Sequence, residues 1–442
     1  MVWTSFPVRR IAGAVAAPGD KSCSHRAFIL GALAKGSSRF SGILEGDDVL
    51  RTADAMRALG ADVTQTGPGR WRIDGCGGFE QPTRPLDFGN SGTGSRLTIG
   101  AVAGYPIEVE MCGDASLSSR PMARILDPLR QMGLEVLGAA RGDRLPVQLR
   151  GANPLSAIDY GPPKASAQVK SAILLAGLRA DGVTTVREQH DTRDHTERML
   201  RACGVAVDVV RSPGEGRAIS VSGGQRLSPI EASIPGDPSS AAFLATAAII
   251  SPDGDVLIER VMSNDTRSGF FDVVGARMGA TLGAEDAGEA CGERTINLQV
   301  ASGGLNGTRV PTTVVPAMID EFPILAVVAA FADGETLVSG ADELRVKETD
   351  RITATVDMLR ACGVVAEERP DGFVVQGCGG PPPGGGIVET CHDHRIAMSA
   401  LVMGTASRSP VAVDDVSMIA TSYPDFLAHM GSLGADIRNV AR

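Results

Sequence analysis

An α/β fold of two similar lobes, each made from three copies of one unit, is predicted by three observations. A helical stretch ending in glycine recurs six times. Six nearly all-apolar helical stretches run in step with it. One Pro-Gly-Asp segment appears twice, three units apart. Self-similarity at a fixed period is the signature of a repeat architecture.

The first series reads "MRALGADV", "LRQMGLEV", "LRACGVAV", "GARMGATL", "LRACGVVA" and "GSLGADI", with glycines at 60, 133, 204, 279, 363 and 434. Successive separations are 73, 71, 75, 84 and 71 residues. Each glycine fits the left-handed position that ends a helix before a strand. The second series begins near Ser22, Asn90, Ser166, Ser239, Glu321 and His394, in stretches such as "SAQVKSAILLAGL" and "EFPILAVVAAFA". A helix that is apolar on every side belongs inside a domain. A turn and a short strand follow each one, as in "GVTTVRE" or "GETLVSG". The unit is strand, buried helix, strand, amphipathic helix, glycine, strand.

"PGDKSCSHRAF" at 18 is answered by "PGDPSSAAF" at 235. Each Pro-Gly-Asp can close one segment and open the next. The expected lobes are residues 1–19 with 236–442, and residues 20–235. The strand before Pro18 is then expected to pair with the second half of the chain.

Composition narrows the function. The 442 residues are 43% apolar, 21% charged and 4% aromatic, with net charge -10. A nucleic-acid partner calls for a basic footprint and is not expected. Local clusters of Lys and Arg on an acidic chain instead suggest a pocket for small anions. Eight scattered cysteines without a C-x-x-C pair point to reduced thiols. No unbroken apolar run reaches 18 residues, and no signal peptide is legible before the first turn motif. A cytoplasmic monomer without membrane attachment is the expectation.

A buried helix can present chemistry only at its ends, and its N-terminus favours anions. Lys21, Ser22 and Arg26 stand at the first such start, where capping by Ser22 or Ser24 is the plain structural alternative. "GNSGTGSR" (89–96) opens the second with Gly92, Thr93 and Arg96. "KASAQVK" (164–170) opens the third with Ser166 and Gln168. In the second half, "MIDEFP" sets Asp320 and Glu321 before an apolar helix. "LRVKETDR" gathers Arg345, Lys347, Glu348, Asp350 and Arg351. At helical spacing Lys347 and Arg351 share a face. "CHDHR" (391–395) crowds Cys391, His392, His394 and Arg395, but no matching Cys/His cluster lies elsewhere in the sequence, so no metal is expected.

These stretches, with "RPMARILDPL", "TRDHTE" and "NDTR", span nearly the whole chain. Together they resemble the 5-enolpyruvylshikimate-3-phosphate (EPSP) synthase family, class II type. Arg193-x-His195-x-Glu197, Ser166-Ala167-Gln168-x-Lys170 and Asn264-x-Thr266-Arg267 are similar to class II hallmarks. The resemblance implies two lobes of three βαβαββ units, the inside-out α/β barrel of enolpyruvyl transferases, closing over the substrates. It implies transfer of the carboxyvinyl group of phosphoenolpyruvate to the 5-hydroxyl of shikimate 3-phosphate, without a cofactor. It further implies that the 20–235 lobe takes shikimate 3-phosphate, and that the other holds the phosphoenolpyruvate side and the proton acceptor.

By the same resemblance Lys21, Ser22, Arg26, Ser166, Gln168 and Arg193 contact shikimate 3-phosphate, with Lys21 also reaching phosphoenolpyruvate. Gly92, Arg120, Arg351 and Arg395 correspond to the phosphoenolpyruvate side, and Lys347 touches shikimate 3-phosphate. Asp320 resembles the proton acceptor for the 5-hydroxyl. Glu348 and Lys21 complete the expected catalytic set. Glyphosate-tolerant class II members carry alanine where this chain has Gly92, so inhibition by glyphosate is implied. Thr421-Ser422 stands where class I members place a lysine.

Two alternatives stay open on sequence alone. A UDP-N-acetylglucosamine enolpyruvyl transferase shares the fold and the donor. It usually has a reactive cysteine where this chain has Ala115, and Cys112 is out of register. A non-catalytic phosphometabolite-binding protein would need the anion ligands but not Asp320 and Glu348.

Overall fold

Sheets of one design organise the chain. The computed structural model describes residues 2–212 and 216–440, so the two termini of one expected lobe and three interior residues of the other lie outside the description. The helices in chain order are α1 (Lys21–Leu33), α2 (Asp47–Ala58), α3 (Gly92–Val102), α4 (Ala115–Ser119), α5 (Ala123–Met132), α6 (Ala167–Gly177) and α7 (His195–Ala202). They continue as α8 (Pro238–Ile250), α9 (Gly269–Ala276), α10 (Phe322–Phe331), α11 (Arg351–Ala361), α12 (His394–Gly404) and α13 (Phe426–Ser432).

One sheet illustrates the unit. Leu86–Asp87 runs parallel to Glu108–Cys112, which pairs antiparallel with Arg144–Arg150, which pairs antiparallel with Glu135–Ala140 at the edge. The last two strands form a hairpin, and the buried helix α3 is the crossover between the first two. Residues of Arg144–Arg150 alternate exposed and buried, as a half-covered strand requires. The same order recurs at Asp159–Tyr160, Val183–Glu188, Gly216–Ser222 and Val207–Ser212.

Two sheets take their parallel first strand from a distant part of the sequence. Glu231–Ser233 lies beside Lys35–Ser41, and Arg10–Ala16 lies beside Asp253–Met262. A third sheet closes on the N-terminal strand Val2–Phe6, held between Val411–Val413 and Asp436–Val440. The expected pairing of the N-terminal segment with the second half of the chain is thus observed. In the fifth copy the first strand shrinks to a single bridge, Arg309 with Leu337.

The all-apolar stretches become α1, α3, α6, α8, α10 and α12, starting within two residues of the expected positions. Every residue of α8 and α10 is buried. These two pack on α12 to form the centre of one core. In the other half α3 and α6 approach so closely that a Cβ on Gly100 would lie 2.3 Å from the Ala172 carbonyl oxygen. All six terminating glycines are left-handed, with φ from 74° to 113°. A side chain with a Cβ resists that conformation.

The chain divides into two compact units. One holds the chain up to Pro18, Pro235–Glu289 and the chain from Arg294 onward. The other holds Gly19–Ile234 together with Ala290–Glu293. That four-residue excursion, the tip of a hairpin, has no signal in the repeat. Among the described residues no single helix is long and apolar enough to cross a membrane.

Candidate functional site

In the unit built on Gly19–Ile234, three buried helices begin with polar groups that meet one another. Asp20 caps α1 by accepting from the Cys23 amide at 2.7 Å. Ser22 and Ser24, the alternative caps, do other work. The Ser22 carbonyl accepts from Arg26, and the Ser24 hydroxyl accepts from the Leu44 amide. An aspartate one residue before the helix reaches the first-turn amides and leaves the serines spare. Lys21 pairs with Asp48 on α2.

Arg26 is 4% exposed and is held by oxygens that bear no charge. Its Nε donates to Thr196 Oγ1 at 2.7 Å, Nη1 to the Ser22 carbonyl at 2.8 Å, and Nη2 to Ser171 Oγ at 2.9 Å. Burial pulls its pKa below the ordinary arginine value. Cys23, Asp20 and Glu197 oppose that pull, and the nearby Arg193 cation adds to it. A like charge bearing on a buried guanidinium is a field that a bound anion relieves.

The starts of α3 and α6 are joined through Gln168. Its Nε2 donates to Thr93 Oγ1 at 3.1 Å and its Oε1 accepts from Arg96 Nη1 at 3.1 Å. Ser166 caps α6 at the Val169 amide, which leaves its hydroxyl hydrogen to donate elsewhere. Arg120, which ends α4, donates to Asn90 Oδ1 at 2.6 Å and Ser116 Oγ at 3.0 Å. Gly92 keeps this corner open, because a Cβ there would sit 2.8 Å from Arg96 Nη1 and 3.3 Å from Arg120 Nη1.

The other unit assembles an acid-rich cluster. Arg351, the first residue of α11 and 1% exposed, meets three carboxylates. Asp393 lies 2.7 Å from its Nε, Glu348 2.5 Å from Nη2 and Asp320 3.2 Å from Nη1. Burial opposes the charge, but Asp393, Glu348 and Asp320 outweigh it and raise the arginine pKa. Lys347 Nζ is 3.6 Å from Asp320 Oδ1. Arg395 Nη1 donates to the Asp320 carbonyl at 3.0 Å.

The expected shared helical face of Lys347 and Arg351 is not observed. Lys347 ends a 3-10 turn, Asp342–Val346, in extended geometry, and α11 starts only at Arg351, capped by Asp350. The backbone between them bends because Asp350 accepts from the Ile352 and Thr353 amides. Both cations nevertheless converge on Asp320.

Three partners escaped the sequence reading. Asp48 lies in an ordinary acidic first turn and gives no pattern to find. Asp393 and Asp237 carried a usable signal, an aspartate one position before a buried helix. Asp393 caps α12 and also holds Arg351, while Asp237 caps α8 and pairs with Arg267 at 2.9 Å. Glu321, buried before α10, accepts from Ser239 and does not cap the helix.

The fold also makes a cluster that the sequence hid. Donor atoms of Cys23, His195 and Glu293 lie within 4.8 Å of one another. Each already has a role there. Glu293 meets His195 Nδ1 at 2.8 Å and Arg198 at 3.4 Å. Burial and the Asp20 and Glu293 charges hold the Cys23 pKa well above its ordinary value, against the thiolate a metal needs.

One unit thus gathers polar helix starts suited to small anions and the other gathers carboxylates held by cations, the equipment of an enzyme that processes small phosphorylated anions on a six-unit α/β scaffold. The family model for EPSP synthase (3-phosphoshikimate 1-carboxyvinyltransferase) matches residues 7–430. A 3-phosphoshikimate 1-carboxyvinyltransferase of Hyphomonas neptunium is 63% identical over 441 residues, covering 99% of this chain and all of the relative. That of Methylobacterium radiotolerans is 53% identical over 98% of this chain and 97% of its own. The EPSP synthase of Acinetobacter baumannii superposes with a TM-score of 0.88 at 40% identity, over 99% of this chain and 100% of its own. The enolpyruvyl transferase NikO of Streptomyces tendae, at 18% identity and a TM-score of 0.79 over 100% and 99% of the two chains, shares the fold.

The chain belongs to the EPSP synthase family. Its reaction transfers the carboxyvinyl group of phosphoenolpyruvate to the 5-hydroxyl of shikimate 3-phosphate and releases phosphate, and the alternative acceptor is not favoured.

Proposed function

We propose that the two clusters divide this reaction between substrate grip and proton transfer, in a monomer acting in the cytoplasm. Lys21, Ser22, Arg26, Ser166, Gln168 and Arg193 hold shikimate 3-phosphate, with Lys347 adding a further cation. Gly92, Arg120, Arg351 and Arg395 serve phosphoenolpyruvate, and Lys21 reaches both. The supporting observation is Arg26, a buried cation whose hydrogen bonds go to uncharged oxygens and which has Arg193 for a neighbour. A phosphate dianion is the natural counterpart of such a pair, each charge-assisted bond contributing roughly 1.5–3 kcal/mol.

Asp320 takes the proton of the 5-hydroxyl as that oxygen bonds to C2 of phosphoenolpyruvate. Glu348 gives a proton to C3, which completes a tetrahedral adduct. The same group then removes a proton from C3 as the C2–O bond to phosphate breaks, which restores the double bond, and the hydroxyl proton held by Asp320 leaves with the phosphate. One acid must both give and take, and Glu348 is partly exposed while bonded to Arg351 through one oxygen. Arg351 and Lys347 fix Asp320 and keep its charge compensated.

Asp320→Ala tests this assignment. The variant is expected to bind shikimate 3-phosphate with wild-type affinity in calorimetry while phosphate release falls at least about a hundredfold. Unchanged kcat removes Asp320 from the mechanism.

A further inference from the structure

A second set of charges lies behind the shikimate-phosphate ligands and is fully removed from solvent. Lys170 on α6 is 0% exposed, Glu197 on α7 1%, Glu188 at the end of Val183–Glu188 4%, and Arg217 on Gly216–Ser222 7%. Lys170 Nζ lies 2.7 Å from Glu197 Oε1 and 3.2 Å from Glu188 Oε2. Arg217 Nε donates to Glu188 Oε2 at 2.9 Å. Arg217 Nε also lies 3.4 Å from Asp191 Oδ1, a partly exposed carboxylate, so the two cations face three carboxylates.

Such a network is a poor source of stability, because desolvating four charges offsets most of their attraction. It does something an apolar core could not. Lys170 Nζ and Arg217 Nη2 both donate to the Thr192 carbonyl, at 3.3 and 2.6 Å. The Thr192 hydroxyl donates to Glu188. The peptide that precedes Arg193 is therefore clamped from two elements, on a loop that has no sheet or helix bonds to fix it. Lys170 also sits one turn along α6 from Ser166, so one side chain ties the Ser166–Gln168 helix start to the Arg193 loop.

We infer that Lys170, Glu188, Glu197 and Arg217 are positioning residues, which set the Arg193 guanidinium for the substrate phosphate by fixing the Thr192 carbonyl. The inference rests on the assignment of Arg193 to shikimate 3-phosphate.

The test compares R193Q, R217K and the double variant, with shikimate 3-phosphate titrated by calorimetry and both KM values measured. Lysine keeps the charge on Glu188 but cannot also reach the Thr192 carbonyl with a second planar donor. R217K is expected to weaken shikimate 3-phosphate binding about tenfold and to leave KM for phosphoenolpyruvate unchanged. The double variant is expected to bind no more weakly than R193Q alone, because Arg217 acts through Arg193. Should R217K fail to fold, the charge-balanced pair E188Q/R217M removes the carbonyl donor together with its counterion and takes its place. Unchanged affinity in R193Q overturns the ligand assignment and the inference with it. Weakened R193Q beside an unchanged R217K or E188Q/R217M, or additive losses in the R193Q/R217K variant, overturns the inference alone.

Discussion

Asp393→Asn separates two jobs that one carboxylate performs. Asp393 Oδ1 caps α12 at the Arg395 amide, 2.8 Å away, while Oδ2 accepts from Arg351 Nε at 2.7 Å. Asparagine caps a helix about as well as aspartate, so the cap survives. The amide then turns its NH2 toward a guanidinium that can only donate, and one charge-assisted bond is lost. Breaking a fully buried pair costs about 3–5 kcal/mol. Arg351 keeps Glu348 and Asp320, which places the expected loss near the lower end, about 3 kcal/mol. For a unit of this size that corresponds to a fall in Tm of roughly 6–12 °C. Asp393→Ala gives up the cap as well and is expected to lose about 1 kcal/mol more. Urea unfolding of wild type, both variants and Arg351→Met in a double-mutant cycle measures the coupling directly. A loss below about 1 kcal/mol in Asp393→Asn refutes the reasoning, since Asp393 would then contribute nothing to Arg351 beyond its role as a cap.

Three further outcomes are expected. Wild-type enzyme is inhibited by glyphosate, and Gly92→Ala, whose new methyl displaces the flexible ends of Arg96 and Arg120, folds normally but resists it. Steady-state inhibition constants check this. His25 is wholly buried beside Thr52, and burial, with Lys21 and Arg26, holds its pKa well below the ordinary value. The unfolded chain therefore binds a proton that the folded chain refuses, and stability falls as pH drops below about 6.5. His25→Gln is expected to remove about one proton's worth of that slope, read from urea midpoints between pH 5 and 7. Arg26→Met is expected to leave stability within about 1 kcal/mol of wild type while abolishing shikimate 3-phosphate binding, whereas Arg351→Met loses about 3 kcal/mol or more. Equal losses in the two would contradict the contrast.

Much of the scaffold is legible in sequence because its physics is local. A left-handed glycine, an apolar run and a Pro-Gly-Asp turn each act within a few residues, and repetition multiplies the signal sixfold. Of the two borrowed strands, Arg10–Ala16 is foreseeable from the Pro-Gly-Asp echo, whereas Glu231–Ser233 is harder to see, since its pairing with Lys35–Ser41 across about 190 residues leaves no periodic trace. The side chains gathered at the helix starts follow the same division. Helix starts could be found from caps and apolar runs, so Lys21, Ser166 and Asp320 stand out. Their partners could not, because Asp48 and Thr196 gain meaning only once tertiary packing brings them to Lys21 and Arg26. Lys347 failed for a related reason. A charge run at helical spacing resembles a helix until the Asp350 cap breaks it three residues later.

On the proposed assignments the two buried guanidiniums meet their anions from opposite starting points. Arg26 is surrounded by hydroxyls and a carbonyl, and burial lowers its pKa. Its charge is costly in the empty protein and becomes favourable when an anion arrives, so the ligand's free energy adds to the stability of the fold. Arg351 is the reverse case. Asp393, Glu348 and Asp320 satisfy it before any substrate binds, and removing the cation would leave three carboxylates facing one another. Its task is therefore to hold two candidate proton carriers at fixed positions. A guanidinium among neutral oxygens has most to gain from an arriving anion, while one among carboxylates gains less from its substrate and orients the acids as well. The same side chain type performs both because the neighbours differ, neutral oxygens at α1 and carboxylates at α11.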